Sequence, residues 1–527
     1  MGKWGHLKKG RRSASLSLAL AVLLTAFQNC GQLDSSSYVN EASSNGWMDS
    51  EGQVLSGDSN GASPSETGNE SFPLVDLEAG TIEPLISAPT EIDSQSQTPA
   101  YGDEPNTSTP SLISKDSEML PCGITRGRMK QIHSLLDSVM ESGGSTYLID
   151  SASVAANYPQ VIYDIQELTA NVLIAGENCQ DIYILDRLAT LYQIPFQFLK
   201  PDPNGHLVWP GSDGYEMILY STQYMYAVAK LINVISKIPR SSWTSSMNSF
   251  MYKPRGELKS HLMRWMRWNS INGTCGGPNN VTLPQYVALK RERKLGQPTF
   301  CNALTEFELW AAAAAVELLT SPNWVGLSSE DESLLGDYIR STVSLFESRL
   351  STRDACPGGT CHGLLLDVGG FHGHYEYPAS LWPIGGETWD FSHMRRLVQW
   401  VDTFYLNSSL SGVSYSTHSG MVALLSNELA YQVFNRDYNN PAFVNFWNGW
   451  NIPYRSYGPY ELSSSYFRAG YGFWGQYRSE IAAINSAILK IVDEGKSTTY
   501  LTPGGKPPAG EIDLLGFLAS LTKRPTY

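Results

Sequence analysis

The sequence predicts a mainly α-helical protein, and three observations support this fold class. From residue 119 onwards, apolar residues recur at the three- and four-residue spacing of amphipathic helices. No alternation of apolar and polar residues persists long enough to build a sheet. Helix-start signals are also present, because Ser328 to Glu332 places hydroxyl and acidic side chains at a helix N-terminus, and Pro159 and Pro284 suit a first helical turn.

The predicted helices follow one another to the end of the chain. They span residues 127–142, 158–175, 179–192, 214–237, 244–270, 301–320, 329–351, 390–406, 418–435, 475–494 and 511–521. Between them lie long segments rich in Gly, Pro, Asn and aromatic residues, at 193–213, 271–300, 352–388 and 436–474. Loops of this length inside a domain are usually lids or binding loops, so they are expected to carry function.

The first 30 residues predict export. Residues 1–12 hold five basic residues and no acid, and a mostly apolar run from Ala14 to Phe27 follows that is too short to span a bilayer comfortably. The stretch LTAFQNCG at 24–31 resembles the lipobox of bacterial lipoproteins, in which the cysteine after the apolar run is lipid-modified. The resemblance implies a signal peptide over 1–30, lipidation at Cys30 and, with Gly31 next, delivery to the outer membrane.

Residues 31–118 predict a disordered tether. The segment is rich in Ser, Thr, Pro and Gly, and it carries 16 acidic residues and one basic residue, Lys115. Such a composition cannot bury enough apolar surface to offset the chain entropy. The chain's net charge of −14 therefore arises in the tether, and the nearly neutral remainder lacks the basic field that nucleic-acid binding requires. Nucleotide use is not expected either, because the sequence contains no phosphate-binding or dinucleotide-binding fingerprint.

The cysteine count fits an oxidising compartment. Seven cysteines are present, and six remain once Cys30 is assigned to lipidation. Pairing neighbours along the chain predicts the disulfides Cys122–Cys179, Cys275–Cys301 and Cys356–Cys361, although six cysteines allow 15 connectivities.

Several segments look like helical hairpins. CNALTEFELWAAAAAVELL (301–319) is an alanine-rich helix suited to close packing, and DESLLGDYIRSTVSLFESRL (331–350) is an amphipathic partner. WDFSHMRRLVQWV (389–401) and STHSGMVALLSNELAYQVF (416–434) look like a second pair, while PAFVNFWNGWNIPYRS (441–456) and GYGFWGQY (470–477) look like closing loops. The alternation resembles the (α/α) toroid, a superfamily of glycan-active lyases, glycosidases and epimerases. It implies a complete or incomplete ring of paired antiparallel helices, with an N-terminal helical part at 119–210 and the toroid with its cleft at 211–527.

Titratable and aromatic residues are concentrated before and within the helix at 390–406. Five of the nine histidines, from His362 to His418, fall within 57 residues. In a continuous helix, Trp389, His393, Arg396 and Trp400 would share one face. His372 and His374 alternate with Gly373 and could bind a metal with His393 or Glu387 as third ligand. No cofactor is expected, although a divalent metal stays an alternative. The imidazoles could instead carry protons, or they could be loop residues stacked on aromatic rings.

The resemblance also implies roles by residue type. In toroid lyases, amide, His or Arg groups neutralise a uronate carboxylate, and Tyr or His moves the C5 proton. The catalytic candidates in this chain are His374, Tyr375, Glu376, Glu387, Asp390, His393, Arg396 and His418. The candidates for substrate binding are Asn302, Trp382, Trp389, Asn427, Trp447 and Trp450, and the alternative for the tryptophans is a place in the core.

These features predict a cell-envelope lipoprotein that acts on a polysaccharide by lyase-type elimination at a uronate residue, for which positioned cations would stabilise the enolate. Two alternatives stay open. One is a non-catalytic glycan-binding or envelope-structural lipoprotein, and the other is a glycoside hydrolase that uses two carboxylates among Glu376, Glu387 and Asp390. The expected partners are a polysaccharide and, through the lipid anchor, a membrane.

Overall fold

The described part of the chain is mainly helical, which confirms the predicted class. The computed structural model describes residues 115–141, 148–152, 155, 159–212, 214–268, 281–294, 302, 304–322, 326–366, 389–451, 459–460, 462–494 and 510–524. Within these residues the strands form two small antiparallel hairpins.

The first half contains α1 (Arg126–Met140), α2 (Leu148–Ala152), α3 (Gln160–Cys179), α4 (Ile182–Gln193), β1 (Lys200–Pro201), β2 (Leu207–Val208), α5 (Ile218–Ser236), α6 (Ser245–Phe250), α7 (Lys253–Arg267) and α8 (Leu283–Arg291). The second half contains α9 (Glu306–Thr320), α10 (Ser329–Glu347), β3 (Leu350–Asp354), β4 (His362–Leu366), α11 (Phe391–Met394), α12 (Leu397–Leu406), α13 (Ser408–Ser411), α14 (His418–Glu428), α15 (Ser479–Asp493) and α16 (Gly510–Ser520). Short 3-10 helices at Ser463–Arg468 and Tyr471–Gln476 precede α15.

The helix starts follow the local sequence signals. Ser328 caps α10, because its hydroxyl accepts from the Asp331 amide at 3.1 Å while the Asp331 carboxylate accepts from the Ser328 amide. The Asp181 carboxylate caps α4 by accepting from the Ile184 amide, and Pro284 lies in the first turn of α8. These contacts satisfy amides that have no partner inside the helix.

Four central helices, α3, α5, α9 and α12, run parallel to one another. In each neighbouring pair of helices, an earlier residue of one contacts an earlier residue of the other, and a later residue contacts a later one. The contacts are Tyr163–Tyr220 and Gln166–Gln223 for α3 and α5, Tyr226–Trp310 and Asn233–Glu317 for α5 and α9, and Trp310–Trp400 and Glu317–Thr403 for α9 and α12. Five consecutive alanines, Ala311 to Ala315, are buried along α9. Their small side chains let α9 approach α5 closely, as the alanine-rich sequence predicted.

Further helices pack around these four. α10 is antiparallel to α9, because the hydroxyl of Tyr338 donates to the carbonyl of Glu308 and Arg349 donates to the carbonyl of Asn302. α16 packs on α3, where the Asn171 amide donates to the carbonyl of Gly516 at 3.1 Å. The helices before residue 210 therefore share one core with the C-terminal helix.

The structure corrects three predicted boundaries. The single helix expected at 244–270 is divided into α6 and α7 where Pro254 enters the first turn of α7. The loop expected at 271–300 contains α8. The loop expected at 352–388 begins with the β3–β4 hairpin, which sequence alternation did not reveal because each strand has only five residues.

The helix expected at 390–406 is also interrupted. α11 ends at Met394, and Arg395 and Arg396 form a turn before α12 begins at Leu397. Both arginine side chains are buried and reach carboxylates of other helices. Trp389 and Trp400 still meet across the turn, with ring centroids 5.6 Å apart.

Two of the predicted disulfides are confirmed. Cys122–Cys179 joins the segment before α1 to the end of α3, and Cys356–Cys361 closes the β3–β4 hairpin. Cys30, Cys275 and Cys301 lie outside the described residues. Among the described helices, none combines the length and the apolar character needed to cross a membrane.

Candidate functional site

Charged side chains collect at the N-terminal ends of the central helices. We name this group the acid–arginine cluster, and it consists of Tyr163, Asp164, Glu167, Glu306, Asp390, His393, Arg395, Arg396, Arg468 and Asp513. The members come from α3, α9, α11 with its N-cap and the turn after it, the 3-10 helix at Ser463–Arg468, and α16. Because helix N-termini carry partial positive charge, this end of the molecule favours anionic groups.

Glu167 is the centre of the cluster. Its carboxylate contacts the guanidinium of Arg395, lies 3.0 Å from Nη2 of Arg396 and lies 3.4 Å from Nη1 of Arg468. Arg468 also donates from Nε to Asp513 at 2.5 Å. Buried ions are tolerated only when opposite charges and hydrogen bonds replace the lost water, and this carboxylate meets that condition with three arginines.

Arg396 connects three parts of the protein. Its guanidinium donates to Glu306 at the start of α9 and to Glu167 and the Tyr163 hydroxyl of α3. The guanidinium also lies over the Tyr163 ring, 5.1 Å from its centroid. The planar fork of arginine allows these contacts at once, whereas a lysine could not reproduce them.

Asp390 orients His393. The Asp390 carboxylate accepts from the Ser392 amide at 3.0 Å, which caps α11, and it contacts Nδ1 of His393. A carboxylate on Nδ1 selects one orientation and tautomer of the imidazole, so Nε2 is the atom that would exchange a proton with a ligand. The His393 side chain is 11% exposed.

Two carboxyl groups of the cluster have raised pKa values. Burial raises the pKa of Glu306 to about 7, against the opposing charges of His393 and Arg395. Burial and the neighbouring charge of Glu167 raise the pKa of Asp164 to about 8, with Arg468 and Arg395 opposing. Both groups can therefore hold a proton near neutral pH, as a general acid requires.

Amide and aromatic layers lie next to the cluster along the helices. Gln223 donates to Gln166 at 2.5 Å, and Gln166 donates to Gln399 at 2.9 Å. Beyond them the rings of Trp310 and Trp400 meet with centroids 4.9 Å apart. Among the described residues, these layers fill the interior next to the cluster on that side.

The structure brings together three of the predicted catalytic residues, Asp390, His393 and Arg396. His418 is not among them. It is the first residue of α14, as predicted, and its Nε2 lies 2.8 Å from Asp402. Asp402 lies six residues beyond Arg396, which is about 9 Å along a helix. Trp474 and Arg524 also contact Asp402, so His418 belongs to a different group of side chains.

The predicted binding residues within the described segments are dispersed. Asn302 precedes α9 instead of lying within it, and its carbonyl accepts from Arg349. Asn427 links the His362 carbonyl, at 2.8 Å, to Arg478, at 2.7 Å. These two asparagines therefore connect structural elements, and their role in substrate binding stays a prediction.

The tryptophans occupy core positions or half-buried ones. Trp389 and Trp447 are buried, and the Trp447 indole donates to the carbonyl of Leu364 at 2.8 Å. Trp450 is half-buried. Stacking of these rings on sugars stays a prediction, and in this conformation the first two rings face the core.

The remaining candidates lie outside the described residues: His372, His374, Tyr375, Glu376, Trp382 and Glu387. In the sequence they stand between β4 and Trp389, directly before the cluster residue Asp390. Within the described segments, no group of three or more His, Cys, Asp or Glu side chains is arranged to hold a metal ion.

Six of the ten members of the cluster were not predicted from the sequence: Tyr163, Asp164, Glu167, Arg395, Arg468 and Asp513. One signal was available, because YDIQEL at 163–168 places acidic and amide groups in an otherwise apolar helix. The partners of these groups come from distant parts of the chain and leave no local pattern.

No protein-family model, curated protein or solved structure matches this chain.

Proposed function

We propose that the protein is an exported, lipid-anchored cell-envelope protein whose (α/α) toroid cleaves a polysaccharide by elimination at a uronate residue. The observation that carries the proposal is the acid–arginine cluster, where an Asp390-oriented His393 lies beside buried arginines and a carboxyl group with a raised pKa. Base, acid and anion-stabilising groups thus occur together at one end of the parallel helices.

The helical arrangement supports the toroid. In such a ring, inner helices run parallel and each is followed by an outer helix that returns along the outside. α3, α5, α9 and α12 are parallel, and α9 is followed by the antiparallel α10. α16 packs on α3 and brings the C-terminal end of the chain back to the first inner helix.

The proposed reaction uses groups that the acid–arginine cluster brings near one another. Nε2 of His393 removes the proton from C5 of the uronate, the C5 electron pair forms a double bond to C4, and the bond from C4 to the bridging oxygen breaks. Protonated Glu306 then gives its proton to that oxygen. Arg395 and Arg396 stabilise the charge on the uronate carboxylate, which makes the C5 proton more acidic.

Protonation of Glu306 also affects Arg396. A neutral Glu306 attracts the guanidinium less strongly than a carboxylate does, so Arg396 can share its donors with a substrate carboxylate. A sugar residue is too large to reach His393 at the observed exposure. Substrate binding therefore includes movement of residues around the cluster.

Glycoside hydrolysis is the second candidate. Glu306 and Asp164 both have raised pKa values, and hydrolysis needs a protonated carboxyl group together with a second carboxylate. In that reaction Glu306 would protonate the glycosidic oxygen and Asp390 would act as the second carboxylate.

Incubation of the full chain with uronate-bearing and neutral polysaccharides tests these functions. Elimination yields both ultraviolet-absorbing unsaturated uronate and new reducing ends, whereas hydrolysis yields reducing ends alone. His393→Ala should abolish either product. His418→Ala is the matched control, because it removes another histidine held by an aspartate outside the cluster. Absence of product from every polysaccharide, or an unchanged rate in His393→Ala, would contradict the proposed enzyme and favour a glycan-binding or structural role.

A further inference from the structure

A groove of about 520 Å³ lies on the surface between α7 and the β1–β2 turn. We name it the α7 groove, and its lining includes His206, Gly256, Ser260, Met263, Arg267 and Trp268. The four helical residues from Gly256 to Arg267 recur at three- and four-residue spacing, so they form one face of α7. The volume falls within the roughly 300–1,000 Å³ of small-molecule sites.

Trp268 presents an indole ring at the end of α7. The residue is 60% exposed, which is unusual for a tryptophan. Its ring and the His206 ring make an edge-to-face contact with centroids 5.2 Å apart. An exposed indole face flanked by imidazole, hydroxyl and guanidinium groups matches a sugar ring, which has an apolar C–H face and a rim of hydroxyls.

The groove is held in shape by buried contacts beneath it. Arg264 pairs with Glu216 at 2.6 Å and donates to the carbonyl of Leu207 at 3.3 Å, which fixes the β1–β2 turn to α7. The Glu216 carboxylate also accepts from the Trp265 indole at 2.9 Å. Asp202 accepts from the amide of His206 at 2.8 Å. A preformed site loses less conformational entropy when a ligand binds.

The charge of the groove disfavours a phosphate-bearing ligand. Arg267 is paired with Asp331 at 2.6 Å, and Glu257 adds a negative group to the lining. A phosphate-bearing ligand would need an excess of cations that this balance does not provide.

We propose that the α7 groove is a second carbohydrate-binding site, in which a sugar ring of a polysaccharide stacks on Trp268 while neighbouring polar side chains bind its hydroxyls. The choice of a polysaccharide segment as ligand rests on the proposed function. The groove would hold the polymer on the protein separately from the acid–arginine cluster, so binding and cleavage can be measured apart.

Two variants of the full chain test the groove. Trp268→Ala removes the stacking surface. Gly256→Tyr introduces a ring into the groove, and the backbone position accepts a side chain, because no heavy atom beyond the glycine's own helical turn lies within 4 Å of an added Cβ. Tyr252→Ala is the matched control, since Tyr252 is an aromatic residue with 89% exposure that does not line the groove. Retention in gels containing alginate, polygalacturonate, xylan or a soluble β-glucan is the measurement.

Trp268→Ala should weaken retention about tenfold, the factor expected when one aromatic contact is lost. Gly256→Tyr should also weaken retention because it occupies the groove, and Tyr252→Ala should not. Glu306→Gln separates this proposal from the proposed reaction. Retention that survives Glu306→Gln but falls in the groove variants supports the second site. Retention of Trp268→Ala equal to that of Tyr252→Ala overturns it, as does failure of the wild type to bind any of the four polymers. Neither of those results bears on whether Glu306 is needed for cleavage.

Discussion

Oε2 of Glu167 in α3 lies 3.0 Å from Nη2 of Arg396, although the two residues are 229 positions apart in the chain. The contact explains the interruption between α11 and α12, because the turn at Arg395 and Arg396 directs both side chains to the same carboxylate. It also connects the first central helix to the last of the four parallel helices. The acid–arginine cluster is therefore both a structural connection and the proposed reactive centre.

Glu167→Gln should destabilise the protein strongly. The change removes the negative charge that balances three arginines, and breaking such a buried pair costs about 3–5 kcal/mol. Denaturant unfolding gives the free energy of unfolding. Asp337→Asn is the control, because its pair with Arg340 is exposed and should contribute at most about 1 kcal/mol. Equal losses in the two variants would show that the cluster does not stabilise the fold.

Glu306 should make stability depend on pH. Its pKa is raised from the ordinary 4.5 to about 7 in the folded protein, so the folded state binds more protons between these values. The stability that protonated Glu306 contributes is therefore fully present below about pH 4.5, and it is lost as the pH rises through about 7. Denaturant unfolding of wild type and Glu306→Gln should be measured across this range. The free energy of unfolding of the wild type minus that of Glu306→Gln should fall with rising pH, by up to about 3 kcal/mol. A constant difference would contradict the raised pKa.

Asp390→Asn should impair the proposed reaction although His393 itself is unchanged. An amide on Nδ1 no longer selects the required tautomer or stabilises the imidazolium, and the expected loss in turnover is about a hundredfold or more. The rate of cleavage as a function of pH is the measurement, on the polysaccharide that the wild type cuts. Asp402→Asn changes the partner of His418 instead and should leave the rate nearly unchanged. Similar rates for wild type and Asp390→Asn would argue against His393 as the base.

The two disulfides should stabilise the protein unequally. Cys122 and Cys179 are separated by 57 residues, and Cys356 and Cys361 by 5. Since a longer closed loop restricts the unfolded chain more, loss of the first bond should cost about 4 kcal/mol and loss of the second about 2 kcal/mol. The double variants Cys122→Ser with Cys179→Ser and Cys356→Ser with Cys361→Ser provide the comparison by denaturant unfolding. The reverse order would indicate that folded-state contacts of the hairpin outweigh the loop effect.

The features that could be predicted from the sequence depend on residues a few positions apart in the chain. The capping box at Ser328 and Asp331 spans three residues, and the alanine run of α9 shows directly that the helix can pack closely. The pair of Asp390 and His393 is also local, because a cap and a residue in the next turn come within hydrogen-bonding distance. For that reason the sequence was sufficient to select His393 and Asp390 as candidates.

The errors occurred where distant contacts override local preference. Periodicity alone favours one helix over 390–406, whereas in the folded protein the turn at Arg395 and Arg396 brings both guanidiniums to Glu167. Asn427 is a different case: it was selected as half of an i, i+4 polar pair with Tyr431, its amide connects a hairpin carbonyl to Arg478, and its role in substrate binding stays a prediction. A polar residue in a helix can bind a ligand or a neighbouring element, and spacing does not distinguish the two.

The sequence by itself determined that the chain is mainly helical, where many of the helices begin, and which cysteines could pair. Only the tertiary structure decided that His393 and Arg396 join Glu167, Glu306 and Arg468 whereas His418 does not. The physical reason is that helix formation depends on residues three or four positions apart, while a buried charge is stabilised by whichever opposite charges the packed helices bring to it.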